Sequence, residues 1–535
     1  MVRRVPAADG SPDAIVIGAG HNGLVAANML ADAGWDVLVV EAAAHPGGAV
    51  WSDESLRAGF VTDLFSAFYP LGAASPVLDA LELGRYGLSW RHAPAVLAHV
   101  FPDDRCALLC REVGDTAASL DGFAAGDGAA WTQLVEEFRA VREPLLAALF
   151  GPFPPAVAAT RLLRQLHVAG ALRFARFAVQ PVRRFGDEHF RGEGARALLA
   201  GNALHTDLAP EGAGSALYGW LLAMLGQTVG FPVPAGGSRA LIEALTARLD
   251  RAGGALRLGE PVERVVVEQG VAVGVRLAGG EQLRARRAVL ADVSAPELYR
   301  ALVGVEVLPA RLVRDLDAFQ WDTATLKLNW ALSAPIPWTA AAARRAGTVH
   351  LGVDLDAMTY YAADLATGRV PGRPFVLLGQ MTTSDARRSP PGTESAWAYT
   401  HLPAGPLRDG QLDAHVERIE QAVEDRAPGF RALILDRSVQ SPADLQRSDR
   451  NLHAGAINGG TANLYQQLVL RPVPGLGGAD TVIDRLYLAG SSAHPGGGVH
   501  GGPGHNAAHA ALAREARTGA ARRRLRSFAM DRIYR

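Results

Sequence analysis

The stretch Ala14-Ile-Val-Ile-Gly18-Ala-Gly20-His21-Asn22-Gly23-Leu-Val-Ala-Ala27 decides the fold of this chain. Its first four residues read as a buried strand, the glycines as a turn, and the run from His21 as a helix. Gly18 permits the tight turn, Gly20 lets backbone approach a diphosphate, and Gly23 lets the helix pack closely on its strand. The helix N-terminus then presents unpaired N–H groups to phosphate. About 20 residues on, Asp36-Val-Leu-Val-Val-Glu41 reads as the next strand, and its terminal carboxylate suits the two hydroxyls of an adenosine ribose. A glycine motif alone is weak; strand, helix and acid at this spacing make it a specific dinucleotide signature.

Working outward, the same nucleotide fold draws on two further pieces. The turn Pro46-Gly47-Gly48 adds backbone near the diphosphate, and a second piece opens at Pro232-Val-Pro-Ala-Gly236-Gly237-Ser238. A helix is predicted over Arg239–Ala252, with Leu241, Ile242, Leu245 and Leu249 on one face. Strands are predicted at 255–258, 262–268, 271–277 and 288–291. The third piece is Leu486-Tyr-Leu-Ala-Gly490-Ser491-Ser-Ala-His494-Pro-Gly496-Gly497-Gly498-Val499-His500-Gly-Gly502-Pro-Gly504-His505-Asn506, a strand and a glycine-dense loop, with a helix predicted from Asn506 to Ala516.

The fold class is therefore α/β: a Rossmann-type domain assembled from residues 1–75, 228–300 and 451–520. Residues 76–227 and 301–450 form one inserted, mixed α+β substrate domain, and 521–535 a basic tail. The first insertion is helix-rich (131–149, then 155 to about 184). The second has strands at 325–332, 374–380 and 396–402 and a helix at 413–426.

At 535 residues, 49% hydrophobic and 20% charged, the chain suits a compact protein of two domains. A formal net charge of −1 gives no electrostatic case for nucleic acid. Cys106 and Cys110 match neither a redox pair nor a zinc knuckle, and no metal-binding spacing appears. The amino-terminal segment 1–10 lacks the apolar core of a secretory signal, and the longest apolar run, Ala216 to Gly226, is short of the roughly 20 residues that span a bilayer. A cytoplasmic address is the simplest expectation.

The segments 13–52, 203–296 and 451–508 resemble the phytoene desaturase-like branch of the FAD-dependent oxidoreductases, a superfamily that also holds carotenoid isomerases and flavin amine oxidases. The likeness rests on the Gly20-His21-Asn22-Gly23 turn, the His494–Val499 loop and Arg471-Pro472, and is greatest to the "pyridine nucleotide-disulfide oxidoreductase domain" branch. That name implies chemistry absent from this sequence, which has neither a Cys-x-x-Cys nor a second dinucleotide fingerprint. The resemblance implies FAD. Gly18, Gly20, His21, Asn22, Gly23, Glu41, Gly47 and Gly48 would hold its ADP part, with the backbone of Val262 at the adenine. Gly490 and Ser491 would meet the diphosphate and ribityl chain. The loop through Gly497, Gly498, Val499 and Gly502 would pass the isoalloxazine, with Asn506 starting the helix beneath it.

Among 53 Lys plus Arg residues only one is lysine, Lys327. Arginine is planar and permanently charged, whereas lysine is slim and titrates readily on burial. Its strand is similar to the lysine-bearing strand of the flavin amine oxidases, which implies a place over the isoalloxazine, anchoring water or stabilising negative charge. His500 is the second catalytic candidate, as acid, base or flavin tether, although a loop histidine often only ties backbone together. His453 and Asn458 resemble a family loop on the substrate side of the ring. The predicted reaction is hydride transfer from a C–H bond of a largely apolar substrate to flavin N5, with oxygen or a quinone as acceptor. Isomerisation of a polyene, amine oxidation (for which no aromatic cage is visible in the sequence) and a non-catalytic lipid or prenyl carrier remain alternatives. Residues 155–184 mix Arg161, Arg164, Arg173 and Arg176 with Leu and Phe, which suits a peripheral membrane contact or a helix packed on protein.

Overall fold

The computed structural model describes residues 10–534, so 1–9 of the amino-terminal segment read above as lacking a signal's apolar core lie outside the described residues. A five-stranded, all-parallel sheet has the order Leu486–Leu488, Ala288–Ala291, Ala14–Ile17, Val37–Val40, Ala255–Arg257. The strand Ala14–Ile17 is central because all four residues are apolar and covered on both faces. In register, Ile17 lies beside Val40 on one side and Ala291 on the other. All three sequence pieces thus end their strands at one sheet edge, where the Gly18–Gly23 turn begins.

Helices His21–Asp32, Arg239–Arg251 and Gly502–Glu515 are tied to one another on this sheet. The Asn28 amide donates to Leu245 O at 3.0 Å. Gly504 sits so close to the first helix that an added Cβ would be 1.9 Å from Asn22 O. The last helix begins at Gly502, four residues before the predicted start at Asn506. Pro503 is tolerated in a first turn, where its missing N–H has no intrahelical partner to lose, and the glycines are there for contact with the first helix. A three-stranded antiparallel meander, Val262–Glu268, Val271–Leu277 and Gln282–Arg284, completes this region.

The second sheet has seven strands, in the order Ile434–Gln440, Ala324–Leu332, Glu394–Leu402, Val376–Gln380, Ala346–Leu351, Ala95–Val100, Cys106–Leu109. Strands from both insertions therefore lie in one sheet. Residues alternate along them. Leu326, Leu328, Trp330 and Ala398 face a core shared with Val416, Ile419 and Val423 of helix Gln411–Glu424. The opposite face is polar and aromatic. Cys106 and Cys110 are free thiols.

The first insertion departs from prediction in one helix. In place of a continuous helix from 155 to 184, helix Ala156–Val179 bends at His167 (φ 53°) and ends before Pro181. Proline removes a donor and holds Gln180 extended, and a separate helix, Val182–His189, follows. The basic segment 521–535 is, over its described residues, part of helix Gly519–Tyr534 rather than a free tail. Its Tyr534 is buried and donates to Pro474 O at 2.6 Å. Among the described residues no helix is long and apolar enough to cross a membrane.

Candidate active site

The first glycine turn is held from below by a carboxylate that sequence reading missed. Asp292 follows the neighbouring strand, and its Oδ2 accepts from Gly23 N at 2.8 Å. A Cβ on Gly20 would lie 2.6 Å from that oxygen, and one on Gly23 would lie 2.2 Å from Gly18 O. Only glycine fits either place, which is why the spacing is legible in the sequence. Glu41 sits at the end of its strand as predicted, but its carboxylate accepts from Ala19 N at 2.7 Å and Ala43 N at 2.8 Å. Gly47 N donates to Ala19 O at 2.9 Å, and a Cβ on Gly48 would come within 3.6 Å of Gly20 Cα. Val262 opens the meander two residues after Glu260, whose N–H donates to Glu41 O at 2.9 Å. The predicted ADP-binding residues thus gather around one turn.

The second glycine stretch meets the first. His21 faces the backbone of Gly498, and burial pushes its imidazole down to about 4. A Cβ on Gly497 would be 2.6 Å from Asn458 Cα, and one on Gly72 would be 2.9 Å from Val499 O. Gly490 leaves 2.4 Å for a Cβ before Val293 O, and Ser491 O accepts from the buried Arg471 at 2.7 Å. Arg471 also donates to Asn458 O at 3.1 Å. Buried Asp322 accepts from the N–H groups of Ile457, Asn458 and Gly460. Together they hold the 457–460 loop against Ser491–Gly497. Burial, with Asp207 adding like charge, raises the Asp322 carboxyl above the usual carboxylate range. His453 of the same predicted loop is instead exposed and stacked on Trp321 at 4.7 Å. Asn506 lies one turn inside its helix, donating to His494 O and Gly151 O.

His500 is engaged at both ring nitrogens: Nδ1 accepts from Gly502 N at 3.0 Å, and Nε2 faces Gly497 O at 3.2 Å. Burial pushes it down to about 3. A neutral imidazole with both nitrogens occupied ties the loop together and has no nitrogen left to exchange a proton with a substrate. Of the two roles read from sequence, these contacts give His500 the loop-tying one.

Lys327 is buried on the polar face of the seven-stranded sheet. It donates to Asp63 O and, at 2.8 Å, to Phe65 O. An ammonium has three donors, so one remains. Residues 60–72 carry these carbonyls at one end and lie against Gly498 and Val499 at the other, which joins Lys327 to the second glycine loop. Burial, with Arg388 adding like charge and Asp63 opposing, lowers its ammonium to about 7. Asp63 and Arg388 form a fully buried pair at 2.9 Å. Asp63 also accepts from Ser238 N at 2.9 Å.

Beside Lys327 stand aromatic side chains that were not located from sequence. Register places Tyr399 opposite Lys327, Trp397 opposite Asn329 and His401 opposite Thr325. Trp397 and Tyr399 stack at 5.9 Å, and Phe68 meets Trp397 at 5.9 Å. His401 Nε2 pairs with Asp207 at 2.7 Å, and its Nδ1 meets the Tyr361 hydroxyl at 3.0 Å. His205 and His350 touch through their Nε2 atoms at 2.7 Å. The signal for this face was the alternation Trp397-x-Tyr399-x-His401 against Lys327-x-Asn329.

The chain matches the family model for flavin-containing amine oxidoreductases over residues 23–388. It belongs to that family. It is 28% identical to pyridine nucleotide-disulfide oxidoreductase domain-containing protein 2 of Rattus norvegicus over 93% of this chain and 92% of the relative. It is 26% identical to the zeta-carotene-forming phytoene desaturase of Myxococcus xanthus, over 91% and 90% of the two chains. Among solved structures it resembles an oxidoreductase from Methanosarcina mazei, with a TM-score of 0.63 at 16% identity over 93% and 99% of the chains. The family settles the cofactor as FAD and the class as a flavin-dependent oxidoreductase. The residues present fit FAD: the turn admits no side chain, and the buried Asn22 Oδ1 and Asn458 Nδ2 have no partner within the protein.

Proposed function

We propose that this flavoenzyme removes hydride from a C–H bond of a largely apolar organic substrate and leaves a new double bond. Residues 1–75, 228–300 and 451–520 would hold FAD, and 76–227 with 301–450 would hold the substrate. The bound flavin supplies a two-electron acceptor at N5. Gly18–Gly23, Gly47 and Gly48 seat the diphosphate by backbone, Glu41 and Val262 take the ribose and adenine ends, and Gly490, Ser491, Gly497, Gly498, Val499, Gly502 and Asn506 line the ribityl and ring side. Lys327 is the proposed catalytic residue: its free donor holds a water or developing negative charge against the ring.

The observation that carries this reading is the polar, aromatic sheet face joined through residues 60–72 to the second glycine loop. Trp397, Tyr399 and Phe68 offer flat apolar walls, and the name of the Myxococcus relative, a carotenoid desaturase, favours an extended apolar substrate. Oxygen or a quinone takes the electrons. A substrate from a bilayer would enter beside helix Ala156–Val179, where Val168 is 80% and Leu172 69% exposed among arginines. The test is anaerobic bleaching of the flavin band near 450 nm with polyenes, amines and cyclic apolar alcohols. Bleaching by amines alone would replace this reading with amine oxidation. Failure to sediment with anionic vesicles would remove the membrane contact.

A further inference from the structure

Three carboxylates from three separated stretches meet at the glycine turn. Asp292 Oδ2 lies 2.8 Å from Gly23 N, at the helix N-terminus that a diphosphate would use. Its own N–H donates to Ile17 O at 2.8 Å, so the sheet fixes its backbone. Glu41 bonds Ala19 N within the same turn at 2.7 Å. Asp449 Oδ2 would be 3.2 Å from a Cβ on Gly48, beside Gly20. Like charge from Glu41 and Asp449 reaches Asp292, and among the described residues no cationic side chain acts on Asp292 or Asp449. A diphosphate brings two more negative charges to this place.

We infer that FAD binds the chain with Asp292 protonated, so that in alkaline solution a proton passes from solvent to the Asp292 carboxylate as the diphosphate enters the turn. A neutral Asp292 removes the nearest like charge and keeps an oxygen for Gly23 N. No other bond changes. The inference rests on the assignment of the Gly18–Gly23 turn to the diphosphate. Burial, with Asp449 and Glu41 adding repulsion and the Gly23 N–H opposing, holds the free Asp292 at about 8. Asp449 is raised to about 6, chiefly by burial. His21 and His500 are pushed down to about 4 and about 3, so neither gains a proton near pH 8. Bound diphosphate moves Asp292 further up by like-charge repulsion. FAD affinity is then flat up to pH 7.5 and falls about tenfold per unit above pH 8.

The experiment titrates FAD into the deflavinated full chain between pH 6.5 and 9.5, with calorimetry at pH 9 in two buffers of different ionisation enthalpy. Uptake of about one proton per FAD at pH 9 and none at pH 6.5 is expected. The Asp292→Asn chain is expected to bind FAD with no pH slope over the range. Zero uptake by the wild-type chain at pH 9 overturns the inference without any variant, as does a slope that Asp292→Asn retains. A folded chain that binds FAD at no pH overturns the diphosphate assignment and the inference with it.

Discussion

The five-stranded parallel sheet and the seven-stranded sheet of the insertions use opposite parts of the polypeptide. At the ends of the first, the proposed FAD contacts are mostly backbone, and glycine is required because side chains would collide with Asp292, Gly18 O or Asn22 O. On the second, side chains project from a regular ladder, and Lys327, Tyr399, Trp397 and His401 define the surface. A site built on backbone fails when atoms are added. A site built on side chains fails when they are removed.

The largest effect expected is at the first kind of site. Gly23→Ala places a methyl 2.2 Å from Gly18 O. It should yield a colourless chain destabilised by about 3 kcal/mol or more; a yellow Gly23→Ala protein with normal melting would break the comparison. Next comes Arg388→Met, which strands Asp63 without its partner in a site where neither is exposed. Urea unfolding should show a loss of about 3–5 kcal/mol.

Lys327→Met should keep FAD bound and slow flavin reduction or reoxidation about tenfold, read by anaerobic stopped flow. It should also erase an ionisation near pH 7. The ammonium is lowered from 10.5 to about 7, so between these values the unfolded wild-type chain holds the extra proton. Wild-type stability relative to Lys327→Met should therefore rise with pH across that window, and equal pH profiles would argue that this amine is not held in a desolvated site. The smallest effect is Tyr361→Phe, which removes the hydroxyl partner of His401 and should cost about 1 kcal/mol without loss of FAD; calorimetric melting reads it.

The same contrast explains what could be read from the chain. The five-stranded sheet and its turn were legible because glycine spacing, buried strand runs and the carboxylate at Glu41 are local signals. Lys327 stood out by composition and by the likeness of its strand. Asp292, Arg388 and Asp207 were not legible: each acts on a partner far away in sequence, and buried ion pairs leave no local period. The two contacts of His500 were not legible, because a glycine-rich loop gives no sign that it will fold onto both nitrogens of its own histidine. The bend at His167 has no signal in its neighbours, whereas the break before Val182 was available from Pro181.

The close seat of Gly504 on Asn22 O also bears on synthesis. Domains commonly fold from the N-terminal end as they leave the ribosome, but here the helix Gly502–Glu515 and the edge strand Leu486–Leu488 are made after both insertions. The early strands must wait in the company of the insertions until residues near 500 emerge. The cradle is therefore complete only once both insertions have been synthesised.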